Sequence, residues 1–183
     1  MKTISKMTQA ELAAYVQSHL RKKRITVILS GGASVSIYTA NKYISADIDL
    51  VNVNFADRNK IKTAMEEIGF HEENRYFTHP DTNQTIEFPP GPLSVGDDPI
   101  TDITEIKLTT GILKLISPTE CVKDRLSAYY FWNDQQSLAQ AILVVQHNRI
   151  NIDEIKRWSQ SSGYFREFKI FYRRYTAQRE SPL

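Results

Sequence analysis

The feature that most narrows the fold is a short run, Ile25-Thr26-Val27-Ile28-Leu29, stopped abruptly by Ser30-Gly31-Gly32. β-Branched residues favour extended backbone, the run is too short for a stable helix, and glycines close it. It therefore reads as a buried strand followed by a sharp turn. A second strand is expected over residues 48–53, with Asp47 at its threshold. Alternation puts Asp47, Asp49, Val51 and Val53 on one face and Ile48 and Leu50 on the other.

The rest of the chain surrounds this pair with mixed elements and then turns helical. Thr8-Gln9-Ala10-Glu11 is a capping-box pattern, and Leu12, Val16 and Leu20 follow at helical spacing up to the basic run Arg21-Lys22-Lys23-Arg24. A short helix is expected over 34–39. Another starts at about 57, with Ile61, Ala64, Met65 and Ile68 on one stripe and Gly69 as its stop. Residues 75–78 and 85–88 read as a hairpin around Pro80-Asp81-Thr82-Asn83, and 89–99, with four prolines and two glycines, as a loop. Strands over 104–108 and 112–116 flank Thr109-Thr110-Gly111. Ser117-Pro118-Thr119-Glu120 then supplies an N-cap, a first-turn proline and a capping glutamate, opening helices at about 119–131, 135–146, 152–160 and 164–178. The expected class is α+β: a small mixed β-sheet core with flanking helices over 1–116, followed by a helical region over 117–183. The two could pack as one domain or as two layers.

Composition excludes several functions. The 183 residues are 41% hydrophobic and 24% charged, a globular balance. Cys121 is the only cysteine, so neither an intrachain disulfide nor a four-thiolate zinc site can form, and the four histidines fall at no zinc-binding spacing. No apolar run approaches the ~20 residues of a membrane span, and no apolar signal core follows Met1, so a cytoplasmic protein with no membrane partner is expected. The net charge of +2 does not by itself argue for nucleic acid. No catalytic serine triad, P-loop or dinucleotide fingerprint is present.

The chemistry concentrates in Leu29-Ser30-Gly31-Gly32-Ala33-Ser34 and Ser45-Ala46-Asp47-Ile48-Asp49-Leu50-Val51. Paired glycines let backbone approach a ligand, and a helix opening at Ser34 would aim free amides at a phosphate. Carboxylates at i and i+2 on a strand repel unless a cation lies between them, and hard oxygen donors suit Mg2+ or Mn2+. Each part alone has a plain explanation, a turn in one case and a solvated strand end in the other. Their joint order and spacing describe a metal–nucleotide site.

The segment Gly31-Gly32-Ala33-Ser34, Lys42 and Ser45-Ala46-Asp47-Ile48-Asp49-Leu50 resembles the polymerase-beta-like nucleotidyltransferase superfamily. Within it the chain looks most like the minimal bacterial nucleotidyltransferases of abortive-infection and toxin–antitoxin systems. The match covers residues 27–51. The gap from Gly32 to Asp47 is near the long end of the usual range, and Lys42 stands where many relatives carry arginine. The resemblance implies transfer of a nucleoside monophosphate from an NTP such as ATP to a hydroxyl, releasing pyrophosphate. Asp47 and Asp49 would hold Mg2+ or Mn2+, with Glu87 as third metal ligand and proton acceptor; Glu105 and the pair Asp97-Asp98 are its rivals. Gly31, Gly32, Ser34 and Lys42 would hold the triphosphate, and Lys123 and Asp134 would close the nucleotide cleft. The acceptor would be RNA such as tRNA, a protein side chain or a small molecule such as an antibiotic, and a cognate toxin or antitoxin would be the partner. The competing reading is a non-catalytic module of the same fold, or an antitoxin.

Two C-terminal patterns remain. Tyr129-Tyr130-Phe131-Trp132 could stack a base or simply fill a core. Between Lys156 and Arg174 six basic residues face one acid, Glu167, with Tyr164, Phe168, Phe171 or Tyr172, and Tyr175 at helical spacing. That suits RNA or another polyanion, and equally a packed amphipathic helix with a charged outer face.

Overall fold

The computed structural model describes residues 2–179. After a single 3-10 turn at Ile4–Lys6, helix α1 (Gln9–Lys22) starts at the expected capping box. Glu11 N donates to Thr8 Oγ1 at 3.3 Å, and Thr8 N donates to Glu11 Oε2 at 2.8 Å. Strand β1 (Val27–Ser30) runs directly into α2 (Gly31–Tyr38). The helix begins three residues earlier than expected, because Gly31 and Gly32 form its first turn and do not precede it. Then come β2 (Asp47–Asn52), α3 (Arg58–Glu66) with Asp57 as N-cap, β3 (His71–Glu73), β4 (Tyr76–His79) and β5 (Thr82–Glu87). β3 was not expected: it is short, polar and largely exposed, so it carries no apolar alternation. The proline-rich segment holds a two-residue ladder, β6 (Ser94–Val95) with β7 (Asp98–Pro99), in place of a bare loop. Strands β8 (Ile103–Leu108) and β9 (Gly111–Ile116) complete the mixed half. Helices α4 (Pro118–Trp132), α5 (Gln135–His147), α6 (Ile152–Ser161) and α7 (Phe165–Arg179) make up the rest.

Seven strands form one mixed sheet in the order β3-β4-β5-β2-β1-β9-β8. β1 pairs antiparallel with β2, whereas β2–β5 and β1–β9 are parallel. Alternation sorts the apolar side chains into two cores. Val27 and Leu29 of β1, Ile48 and Leu50 of β2, and Ile86 of β5 pack with Leu12, Val16 and Leu20 of α1 and with Ile61 and Met65 of α3. Ile28 of β1 and Ile116 of β9 join the other core, with Val35 of α2, Val122 and Leu126 of α4, Leu138 of α5 and Phe171 of α7. The sheet and the C-terminal helices therefore share apolar packing. Because Ile48, Leu50 and Ile86 point into the first core, Asp47, Asp49 and Glu87 point to the opposite face, the one nearer α4.

Candidate active site

Strand register sets the three acids on one face of the sheet. Asp49 lies opposite Ser30 on β1 and opposite Glu87 on β5, and Asp47 lies opposite Thr85. Thr85 Oγ1 donates to Asp47 Oδ1, fixing that carboxylate's rotamer. Among the described residues, no such donor reaches Asp49. Burial, then the charges of Glu87 and Asp47, push its carboxyl up to about 6, while Arg125 pulls in the opposite direction.

The glycines are explained by what presses on them. Gly31 has φ +65°, and a Cβ there would run into the Asp49 carboxylate. A Cβ on Gly32 would come within 2.8 Å of Ser45 Oγ, with Tyr43 Oη at 3.5 Å. Ser30 caps α2 with no side-chain hydrogen bond, and the first turn contains no acidic residue. The backbone N–H groups of α2 thus open beside Asp49 with neither a side-chain cap nor a first-turn carboxylate to occupy them. Ser45 is held in turn: its N donates to Ser36 Oγ at 2.8 Å and its Oγ donates to Asp47 O at 3.1 Å. Tyr43 and Ser45 are thus added to the expected cradle. Ser45 lay within the motif, but no spacing rule would bring Tyr43 to Gly32.

Other expected residues lie elsewhere. Ser34 is fully buried and donates to Leu29 O at 3.4 Å; with the helix starting at Gly31, its hydroxyl faces the interior and not a phosphate. Lys42 is exposed just beyond α2. Lys123 is buried, with Nζ 3.1 Å from Glu120 and 3.5 Å from Glu154, so its charge is spent inside the helical layer. On α4, Asp124 opposes ionisation of Asp49 and Arg125 favours it. The Arg125 guanidinium is held by Asp124 Oδ2 at 2.5 and 3.0 Å and by Gln140 Oε1 at 3.3 Å. Helical geometry turns the facing direction by about 100° per residue, so Lys123 and Arg125, two residues apart on α4, meet different surroundings. Asp134 caps α5, accepting from Gln136 N, Ser137 N and Ser137 Oγ, and the Ser137 hydroxyl leads in holding it below its usual range.

Among the rivals for third carboxylate, Glu105 sits on edge strand β8 and pairs with Lys114 at 2.7 Å, away from β2. Asp97 and Asp98 line a cavity of about 370 Å³ with Phe131 and Trp158. Glu87 alone shares the register of Asp49, although Arg75 Nε lies 3.6 Å from its Oε2. Among the described residues no three His, Cys, Asp or Glu side chains already form a metal-binding cluster. The donor chemistry nevertheless fits a hard divalent cation at Asp47 and Asp49: oxygen ligands only, and a carboxylate whose charge its neighbours oppose. Of the aromatic run, Tyr129 and Tyr130 are core residues, and Tyr130 stacks on Trp158 and Tyr164. Phe131 and Trp132 are exposed.

No family model matches the sequence, and no curated protein matches it. Solved structures do match in fold. An antigenic nucleotidyltransferase-like protein from Paracoccidioides brasiliensis superimposes with TM-score 0.57 and 16% identity, covering 75% of this chain and 76% of that one. The antibiotic-resistance factor ANT(2'')-Ia in solution gives 0.51 and 12%, covering 91% and 92%. A crystal structure of ANT(2'')-Ia in complex with adenylyl-2''-tobramycin gives 0.55 and 13%, covering 91% and 99%. With the seven-stranded mixed sheet and the helical layer, these superpositions show that the chain has a nucleotidyltransferase-like fold.

Proposed function

We propose that this protein is a metal-dependent nucleotidyltransferase that moves a nucleoside monophosphate from an NTP to a hydroxyl acceptor. The observation that carries the reading is the register of β1, β2 and β5. It gathers Asp47, Asp49 and Glu87 on one face, with the Asp49 carboxylate against the open first turn of α2.

In this reading the N–H groups at Gly31 and Gly32 receive the phosphate tail, and Ser45 and Tyr43 bound its seat. Asp47, oriented by Thr85, and Asp49 would hold Mg2+ or Mn2+, which when bound would supply charge neutralisation at the phosphates. Glu87 accepts the proton of the attacking hydroxyl; it must leave Arg75, whose exposed side chain then stays as a nearby positive charge. The new bond joins the acceptor oxygen to the α-phosphorus, the bond to the bridging oxygen breaks, and pyrophosphate departs. Arg125, fixed by Asp124 and Gln140, favours the ionised form of Asp49, with Asp124 partly offsetting it.

The acceptor class is open to RNA, a protein side chain or a small molecule; the adenylyl-tobramycin complex of ANT(2'')-Ia gives the last a precedent in fold. A toxin–antitoxin or phage-defence setting, with a cognate toxin or antitoxin as partner, rests on the sequence resemblance. The Arg75–Glu87 pair favours a second reading, a non-catalytic nucleotide-binding module or antitoxin, because it occupies the third carboxylate. Incubation with α-labelled NTPs, Mg2+ and cell extract decides between them. Label transferred by the wild type and lost in Asp49→Asn supports the enzyme. Calorimetric NTP binding that ignores Mg2+, with no transfer, supports the module.

A further inference from the structure

The basic, aromatic-rich C-terminal segment forms a groove that the acidic site does not use. α6 and α7 enclose a cavity of about 320 Å³ lined by Phe165, Phe168 and Tyr172 and rimmed by Lys156, Lys169 and Arg173. Phe168 is its buried floor, and the rings are arrayed in series. Phe165 and Phe168 stack at 6.0 Å with 10° between planes, and Phe168 and Tyr172 at 5.7 Å with 30°. Tyr172 remains 42% exposed while its ring packs on Phe168 and Tyr175. Lys169 Nζ lies 4.8 Å from the Phe165 ring centroid, which holds a positive charge over the groove.

Charge sets the occupant. Lys156, Arg157, Arg166, Lys169, Arg173 and Arg174 are all exposed, and among the described residues none of them forms an ion pair. Among the described residues Asp153 is the one acid lining the groove, and it sits in the first turn of α6, where the helix dipole favours it. We propose that this groove binds single-stranded nucleic acid, its cations meeting phosphates and Tyr172 stacking an unpaired base. A duplex keeps its bases inside and offers the ring nothing, whereas a single strand engages the cations through its phosphates and the ring through an unpaired base. The inference needs only the fold and this groove, and it stands whether or not the acidic site transfers nucleotides.

The test is fluorescence anisotropy of the full chain with a labelled oligouridylate about a dozen nucleotides long, in EDTA and without NTP, so the acidic site has no part in the result. Duplex RNA, single-stranded DNA and phosphatidylserine vesicles serve as comparison ligands. The expected result is salt-dependent binding of the single strands. Tyr172→Ala should weaken it about 5- to 100-fold with the salt slope unchanged. Lys169→Gln with Arg173→Gln should weaken it and lower the log–log salt slope by about 1.4, while Lys60→Gln on α3 changes nothing. Circular dichroism of each variant checks folding, and Tyr172→Phe, which keeps the ring, should restore binding. No binding at low salt overturns the proposal. So does equal affinity for duplex or vesicles with no dependence on Tyr172, which would mark a general polyanion patch.

Discussion

Asp49, proposed above to hold a cation, keeps its charge at the expense of the fold. Its carboxyl lies at about 6, against 3.8 in the unfolded chain, because burial and the charges of Glu87 and Asp47 oppose ionisation. A raised folded pKa makes the charged form a cost. That cost is full above about pH 6 and vanishes as pH falls towards 4, so stability contributed through this group rises on acidification. Asp49→Asn should therefore stabilise the metal-free protein at pH 7 by about 1–3 kcal/mol in urea unfolding, while cutting transfer at least ~10²-fold. Added Mg2+ should raise wild-type stability and leave the variant unmoved; a variant less stable than wild type would remove the argument for a frustrated metal site. Lys123 predicts the reverse pattern. Lys123→Ala strips Glu120 of its buried partner and should cost about 3 kcal/mol, yet calorimetric NTP affinity should stay at the wild-type value. A selective loss of NTP binding would put Lys123 in the cleft after all.

At the scale of the element, helix ends were the most legible features because their signals are local. The capping box at Thr8 and Glu11, the cap at Ser117 and the stop at Gly69, with φ +84°, involve residues within a turn of one another. Glu11 also receives Lys2 Nζ at 2.5 Å and Thr109 Oγ1 at 3.1 Å, tying the N-terminus and the β8–β9 turn to α1. Led by the Lys2 hydrogen bond, these contacts hold its carboxyl at about 2. The sign is opposite to that of Asp49: the stabilisation is complete above about 4.5 and is lost as pH falls towards 2. Glu11→Gln should therefore flatten the fall of Tm between pH 4.5 and 2, followed by circular dichroism; an unchanged acid limb would mean the capping box adds nothing to acid stability. The start of α2 was misplaced for the converse reason. Glycine has low helix propensity, so Gly31-Gly32 reads as a turn, and only the closeness of Asp49 and Ser45 shows why glycines must occupy a first helical turn.

Across the whole molecule, the helical layer and the sheet share the core that holds Ile28, Val35 and Ile116 together with Leu126, Leu138 and Phe171. If that core makes one folding unit, Phe171→Ala costs about 3–5 kcal/mol and shifts a single transition seen alike by tyrosine fluorescence and by far-ultraviolet dichroism. Two separated transitions would instead show that the C-terminal helices melt alone. The sequence by itself determined the α+β class, most element types and the Asp47–Asp49 pair, because periodicity, capping and strand alternation act over neighbouring residues. Only the tertiary structure decided that Glu87 and not Glu105 stands opposite Asp49, that Lys123 pairs with Glu120 in a buried position, and that Ser34 is sealed inside. Those facts depend on strand order and on the rotation of a helix against a sheet. Both are fixed by packing between residues distant in the chain, which no local pattern encodes.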